Sequence, residues 1–132
     1  MNILVVEDHV DSATALARAL RLRGHFVEIA TTYNQAKRIF ADSDFELVIT
    51  DISLPDGNGC DLLHELINVR DVKVIAMTGL AMPHELEAVN AAGFEASLVK
   101  PFSIAELLKT IEAAAVGRGA SPPVDTRARF KN

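Results

Sequence analysis

One feature constrains this chain more than any other: short apolar runs alternate strictly with helical periods. The runs occupy residues 3–6, 26–30, 47–50, 74–78 and 97–99. Most are nearly continuous in apolar residues, as parallel strands covered on both faces require. The run Phe26-Val27-Glu28-Ile29-Ala30 is broken by a charge, which places it at a sheet edge. Between the runs, Ala13, Leu16, Ala17 and Leu20 follow the i, i+3, i+4, i+7 spacing of a helix, with Arg18 and Arg21 on another face. Ala36, Ile39 and Phe40 mark a second helix, and Leu63, Leu66 and Ile67 a third. Leu86 and Val89 mark a weaker fourth, and Ile104, Leu107, Leu108 and Ile111 a fifth. Ser103-Ile104-Ala105-Glu106 reads as a capping box opening the last helix. Gly24 and Gly93 each stand between a helix and a strand, where a left-handed C-cap glycine belongs. Five such units predict an α/β fold: a flavodoxin-like, doubly wound, five-stranded parallel sheet of order 2-1-3-4-5, with helices on both faces.

The length of 132 residues suits one domain with a short tail. No window approaches the ~18 consecutive apolar residues of a membrane span. The opening Met1-Asn2-Ile3-Leu4-Val5-Val6-Glu7-Asp8 has no basic region before its apolar stretch, so it does not read as a signal peptide. A single cysteine, Cys60, excludes an internal disulfide and a multi-cysteine zinc site, and makes a reducing cytoplasm the default location. The net charge of −5 disfavours nucleic-acid binding by the body of the chain. After Val116 the character changes. Gly117-Arg118-Gly119-Ala120-Ser121-Pro122-Pro123 is rich in breakers, and Arg118, Arg127, Arg129 and Lys131 face one acid, Asp125. Residues 1–116 are therefore expected to form the domain, and 117–132 a disordered basic tail or linker too short for an output domain.

Ligands of an open parallel sheet bind at the carboxyl ends of its strands. Here the first run ends in Glu7-Asp8, the third in Asp51, the fourth in Thr78-Gly79 and the fifth in Lys100-Pro101. Singly, each has an ordinary structural reading: a solvated acidic pair, a turn-forming Asp, a strand-end Thr, a lysine before proline. Together they put three carboxylates, a hydroxyl and an ammonium at one edge. Three clustered carboxylates repel, and need a cation or raised pKa values. An all-oxygen set suits Mg²⁺, which takes one or two carboxylates together with water and a phosphate. A carboxylate can also be a nucleophile, forming an aspartyl phosphate whose charge a metal and a lysine neutralise.

These segments resemble the response-regulator receiver domains of two-component signalling. The resemblance is carried by residues 3–8, by Val48-Ile49-Thr50-Asp51-Ile52-Ser53-Leu54-Pro55-Asp56-Gly57, by Val74-Ile75-Ala76-Met77-Thr78-Gly79 and by Leu98-Val99-Lys100-Pro101-Phe102, and it spans about residues 2–116. It implies that Asp51 accepts a phosphoryl group from a histidine kinase or histidine phosphotransfer protein. It implies that Asp8 ligates Mg²⁺ directly, Glu7 through a water, and Ser53 by its backbone carbonyl. Thr78 would reach a phosphoryl oxygen, Lys100 would pair with the phosphoryl group, and the Lys100–Pro101 bond would be cis. The module would be a signalling switch with self-catalysed phosphorylation and dephosphorylation, monomeric or weakly dimeric, and not a metabolic enzyme. A free-standing regulator, a phosphorelay component and a receiver fragment of a larger hybrid kinase or regulator all fit. Relatives commonly carry Tyr or Phe three residues before the lysine, where this chain has Ser97. The expectation is that no aromatic switch operates, Tyr33 lying in the second helix, and that the loop at 79–83 carries the change.

Two other classes share this fold or this nucleophile. A flavin or nucleotide binder of this fold would want a glycine- or hydroxyl-rich first loop, whereas Glu7-Asp8-His9-Val10-Asp11 repels a bare phosphate. An aspartate-nucleophile phosphatase would normally carry an Asp two residues after the first, where Ser53 stands. His9 reads as an exposed loop residue, Cys60 as a small hydrophobe, and Asp56-Gly57-Asn58-Gly59 as a turn into the third helix.

Overall fold

In the computed structural model, which describes residues 1–79, 87, 89 and 91–119, five parallel strands form one sheet. They are β1 (Asn2–Val6), β2 (Phe26–Ala30), β3 (Leu47–Asp51), β6 (Lys73–Thr78) and β7 (Ala96–Val99), in the order β2-β1-β3-β6-β7. That is the 2-1-3-4-5 order expected, and the charge-interrupted run is an edge strand. A two-stranded antiparallel hairpin, β4 (Ser53–Leu54) and β5 (Gly57–Asn58), overlaps the stretch 56–59, where the sequence indicates a turn into the third helix.

Contacts divide the chain into two units, Met1–Pro101 and Phe102–Asn132. The first holds the whole sheet with α1 (Val10–Arg21), α2 (Tyr33–Asp42) and α3 (Gly59–Val69). Leu4, Val6, Val48 and Val74 alternate along β1, β3 and β6 and cluster with Phe40 of α2 and Leu62, Leu63 and Leu66 of α3. Their neighbours Ile3, Val5, Ile49 and Ile75 point to the opposite face and are equally buried. Both faces are thus covered, which is why these strands lack polar alternation. α1 lies against β1 and β2 and buries Ala13, Leu16, Ala17 and Leu20, the periodic set seen in the sequence. Gly24 and Gly93 have φ of 89° and 105°, the left-handed conformation that glycine adopts at least cost.

The second unit carries α4 (Ile104–Gly119), the fifth helical period of the sequence. Its capping box forms as expected: Ser103 N donates to Glu106 Oε1 at 2.9 Å, and Glu106 N to Ser103 Oγ at 3.0 Å. The helix runs through Gly117-Arg118-Gly119. Of the weaker fourth period, Glu87, Val89, Ala91 and Ala92 are helical; Leu86, the loop beyond Gly79 and the tail from 120 lie outside the described residues. No helix among the described residues is long and apolar enough to cross a membrane.

Candidate functional site

The carboxyl ends of β1, β3, β6 and β7 converge on one cavity of about 690 Å³, lined by Glu7, Asp8, Asp51, Ser53, Thr78 and Lys100 among others. All six residues singled out in the sequence are therefore brought together. Backbone pairing sets their positions. Glu7 N donates to Ala30 O at 3.0 Å, tying the first acidic loop to the end of β2. Ile52 N donates to Met77 O at 3.1 Å, and Lys100 N to Thr78 O at 2.7 Å. The Lys100–Pro101 peptide is cis.

Glu7 and Asp51 are buried, at 1% and 6% exposure, and Thr78 is nearly so. Asp8 is exposed. The ammonium of Lys100 lies 2.6 Å from Glu7 Oε1 and 2.6 Å from Asp51 Oδ1. One carboxylate oxygen from each of Glu7, Asp8 and Asp51 lies within 4.8 Å of the others. One lysine does not neutralise that charge, and the titration of the acids reflects it. Burial pushes the Asp51 carboxyl up, its hydrogen-bonded partner Glu7 pushes it further, and Lys100 only partly opposes them, leaving it at about 7. Burial would raise Glu7 as well, but hydrogen bonds to Asp51 and Lys100 and from the His9 N–H hold it below the usual range. Without a cation, then, the Asp51 carboxyl gives up its proton only well above the ordinary carboxylate range. Burial opposes the charge on Lys100, and the two acids more than offset it.

Two residues set aside in the sequence belong to this site. His9 is the N-cap of α1, its ring accepting from Ser12 N at 3.3 Å, and its backbone N–H donates to Glu7 Oε2 at 3.1 Å. Cys60, in the first turn of α3, is half-buried and lines the cavity. Histidine is not among the residues that favour an N-cap, so nothing local signals this cap or the placement of Cys60.

The model of the response regulator receiver domain matches residues 3–112. The chain belongs to the receiver-domain family. It is a signalling switch of the receiver type, and the proteins it resembles include transcriptional regulators and a signal transduction histidine-protein kinase. This receiver is 32% identical over 132 residues to the Sensory/regulatory protein RpfC of Xanthomonas campestris pv. campestris, covering 96% of this chain and 18% of that protein. It is 38% identical over 118 residues to the DNA-binding transcriptional regulator NtrC of Azospirillum brasilense, covering 86% of this chain and 24% of that one. The receiver thus spans less than a quarter of these two relatives. Among solved structures it resembles a CheY-like receiver domain protein from Methanospirillum hungatei, with TM-score 0.85 and 29% identity over 92% of this chain and 98% of that one. It also resembles the non-phosphorylated HemR receiver domain from Leptospira biflexa, with TM-score 0.79 and 31% identity over 86% and 92% of the two chains.

Proposed function

We propose that Asp51 is the residue that takes the phosphoryl group, from a phosphohistidine on a histidine kinase or a histidine phosphotransfer protein. The observation that carries this reading is one lysine held 2.6 Å from two buried carboxylates, beside a third carboxylate at the mouth of the same cavity. An Asp51 oxygen attacks phosphorus, the P–N bond to the donor imidazole breaks, and the imidazole leaves with that electron pair and takes a proton from solvent. Attack by water on the acyl phosphate returns the carboxylate and releases phosphate. Lys100 pairs with the phosphoryl oxygens, and Thr78, at the end of the neighbouring strand, donates its hydroxyl to one of them.

The donor set fits Mg²⁺: three carboxylates within reach of one point, all hard oxygen, with an excess of negative charge. Asp8, exposed at the mouth, and Asp51 would hold the ion, together with the Ser53 backbone carbonyl. Glu7 is committed to Lys100 and to the His9 N–H, and would support the ion indirectly. When bound, the ion neutralises charge on the transferring phosphoryl group. Outside the site, the free cysteine fits the cytoplasm, and the receiver works there as a monomer or weak dimer that changes partners with its phosphorylation state.

The test is intact-mass measurement with acetyl phosphate and Mg²⁺. The chain is expected to gain one phosphate, and Asp51→Asn none. A phosphate retained by Asp51→Asn overturns the assignment, and continuous turnover of a general phosphate ester favours the phosphatase class instead.

A further inference from the structure

Asp56 sits in the turn of the β4–β5 hairpin, yet its side chain serves another element. Its Oδ1 accepts from Tyr33 N at 2.7 Å and its Oδ2 from Asn34 N at 3.1 Å. These are the first amides of α2, which already has a local cap in Thr32, whose hydroxyl accepts from Gln35 N at 3.1 Å. The Tyr33 ring lies against the same hairpin: a Cβ on Gly57 would come within 2.4 Å of Tyr33 Cδ2. On the other flank, Gly59 N donates to Ile52 O at 2.7 Å, and a Cβ on Gly59 would lie 2.4 Å from the backbone oxygen of Asp51. The hairpin is therefore wedged between the start of α2 and the backbone of Asp51. The start of α2 follows β2 directly, and β2 ends in Ala30, whose carbonyl accepts from Glu7 N. Asp56 closes a bridge between the two acidic loops, Glu7–Asp8 and Asp51–Ser53.

We infer that Asp56 is a positioning residue: by clamping the hairpin onto α2 it fixes the spacing of the two acidic loops in which a cation and a phosphoryl group are held. The inference rests on the receiver reading of the site. A second cap on a helix already capped by Thr32 does not account for the close seating of Gly57 on Tyr33; a clamp does.

Thr32→Ala and Asp56→Ala separate the two roles, because both weaken the start of α2 but only the second releases the hairpin. Melting temperature, calorimetric Mg²⁺ affinity and the rate of phosphate uptake from acetyl phosphate are the readouts. Thr32→Ala is expected to lower the melting temperature and leave Mg²⁺ affinity within about twofold. Asp56→Ala is expected to weaken Mg²⁺ binding about three- to tenfold, somewhat less than loss of a residue that directly supports a ligand. Asp56→Asn, which keeps one acceptor oxygen, recovers most of the loss. If Asp56→Ala fails to fold, Gly57→Ala shifts the hairpin with Asp56 intact; the same weakening is expected, and Tyr33→Ala in the same chain restores affinity. Equal Mg²⁺ affinities in the Thr32 and Asp56 variants overturn the inference. A wild-type chain that binds Mg²⁺ but takes no phosphate overturns the receiver reading, while the Mg²⁺ arm still decides the role of Asp56.

Discussion

The two ends of this one sheet are built on opposite electrostatic terms. At the amino ends the polar groups stay near water. Asn2 N donates to Glu46 Oε1 at 2.7 Å, the Asn2 side chain donates to Asp44 O at 3.1 Å, and Lys73 pairs with Glu95 at 3.5 Å. At the carboxyl ends two carboxylates have lost nearly all contact with solvent and share one ammonium at 2.6 Å. Charges that keep their hydration cost little and return little. Charges that have lost it depend on their partners for compensation, and removing one partner exposes the whole cost. The apolar strands between the two ends carry the fold, so the site end is free to hold an unbalanced charge. That imbalance is a standing demand for a cation or for a proton.

The largest effect should come from removing the partner that offsets it. Lys100→Ala leaves Glu7 and Asp51 buried without a counter-ion. Metal-free stability is expected to fall by about 2–4 kcal/mol, below the full cost of an orphaned buried ion because one acid takes up a proton. Denaturant unfolding at neutral pH measures it. A loss under about 1 kcal/mol would mean that water reaches the pair freely and that the two ends are electrostatically alike.

Removing one of the repelling acids should act in the opposite direction. The folded Asp51 carboxyl sits at about 7, against the ordinary value of 3.8. Below about pH 4 it is protonated in both folded and unfolded chains and contributes nothing. Between about pH 4 and 7 the folded chain holds the extra proton, so stability falls as pH rises, and above about pH 8 the cost is complete. Asp51→Asn, without metal, should therefore be more stable than wild type by about 1–3 kcal/mol at pH 8 and nearly equal to it at pH 4. Unfolding of both chains at the two pH values checks the sign. A pH-independent difference would show that the gain comes from packing rather than from charge.

How much of this was legible in the sequence follows from the range of each signal. The strands, the capping box at Ser103 and the glycines at 24 and 93 are local patterns whose periods dictate local geometry, while the strand order follows from the alternation of strands and helices through fold-level rules; all appear where expected. The site was legible because strand direction alone collects Glu7, Asp8, Asp51, Thr78 and Lys100 at one edge. Asp56 was not, because its partners are 22 and 23 residues away and an Asp before Gly has a sufficient local explanation as a turn former. The reach of α4 through Gly117 has a different physical basis. Glycine raises the cost of a helix without forbidding it, so Gly117 weakens the last turn but does not end it.

The smallest effect should appear at the opposite end of the sheet, and its size sharpens the comparison most. Lys73 begins β6 and pairs with Glu95 at 3.5 Å, with side chains 19% and 32% exposed. Lys73→Ala removes a cation from one carboxylate, as Lys100→Ala removes a cation from two. Here the stranded carboxylate belongs to a residue that keeps a third of its side-chain surface in water, so rehydration replaces most of what the ion pair supplied. A stability loss of about 0.2–1 kcal/mol is expected, shared between the lost pair and the lost contact of the lysine stem, and reduced by added salt. Mg²⁺ affinity should be unchanged, because the substitution lies at the far ends of the strands that carry the site. Paired unfolding curves for the two lysine variants, taken at low and at high salt, make the measurement. A loss at Lys73 equal to that at Lys100 would remove the basis for treating the two ends differently, since exposure could then no longer be what sets the cost.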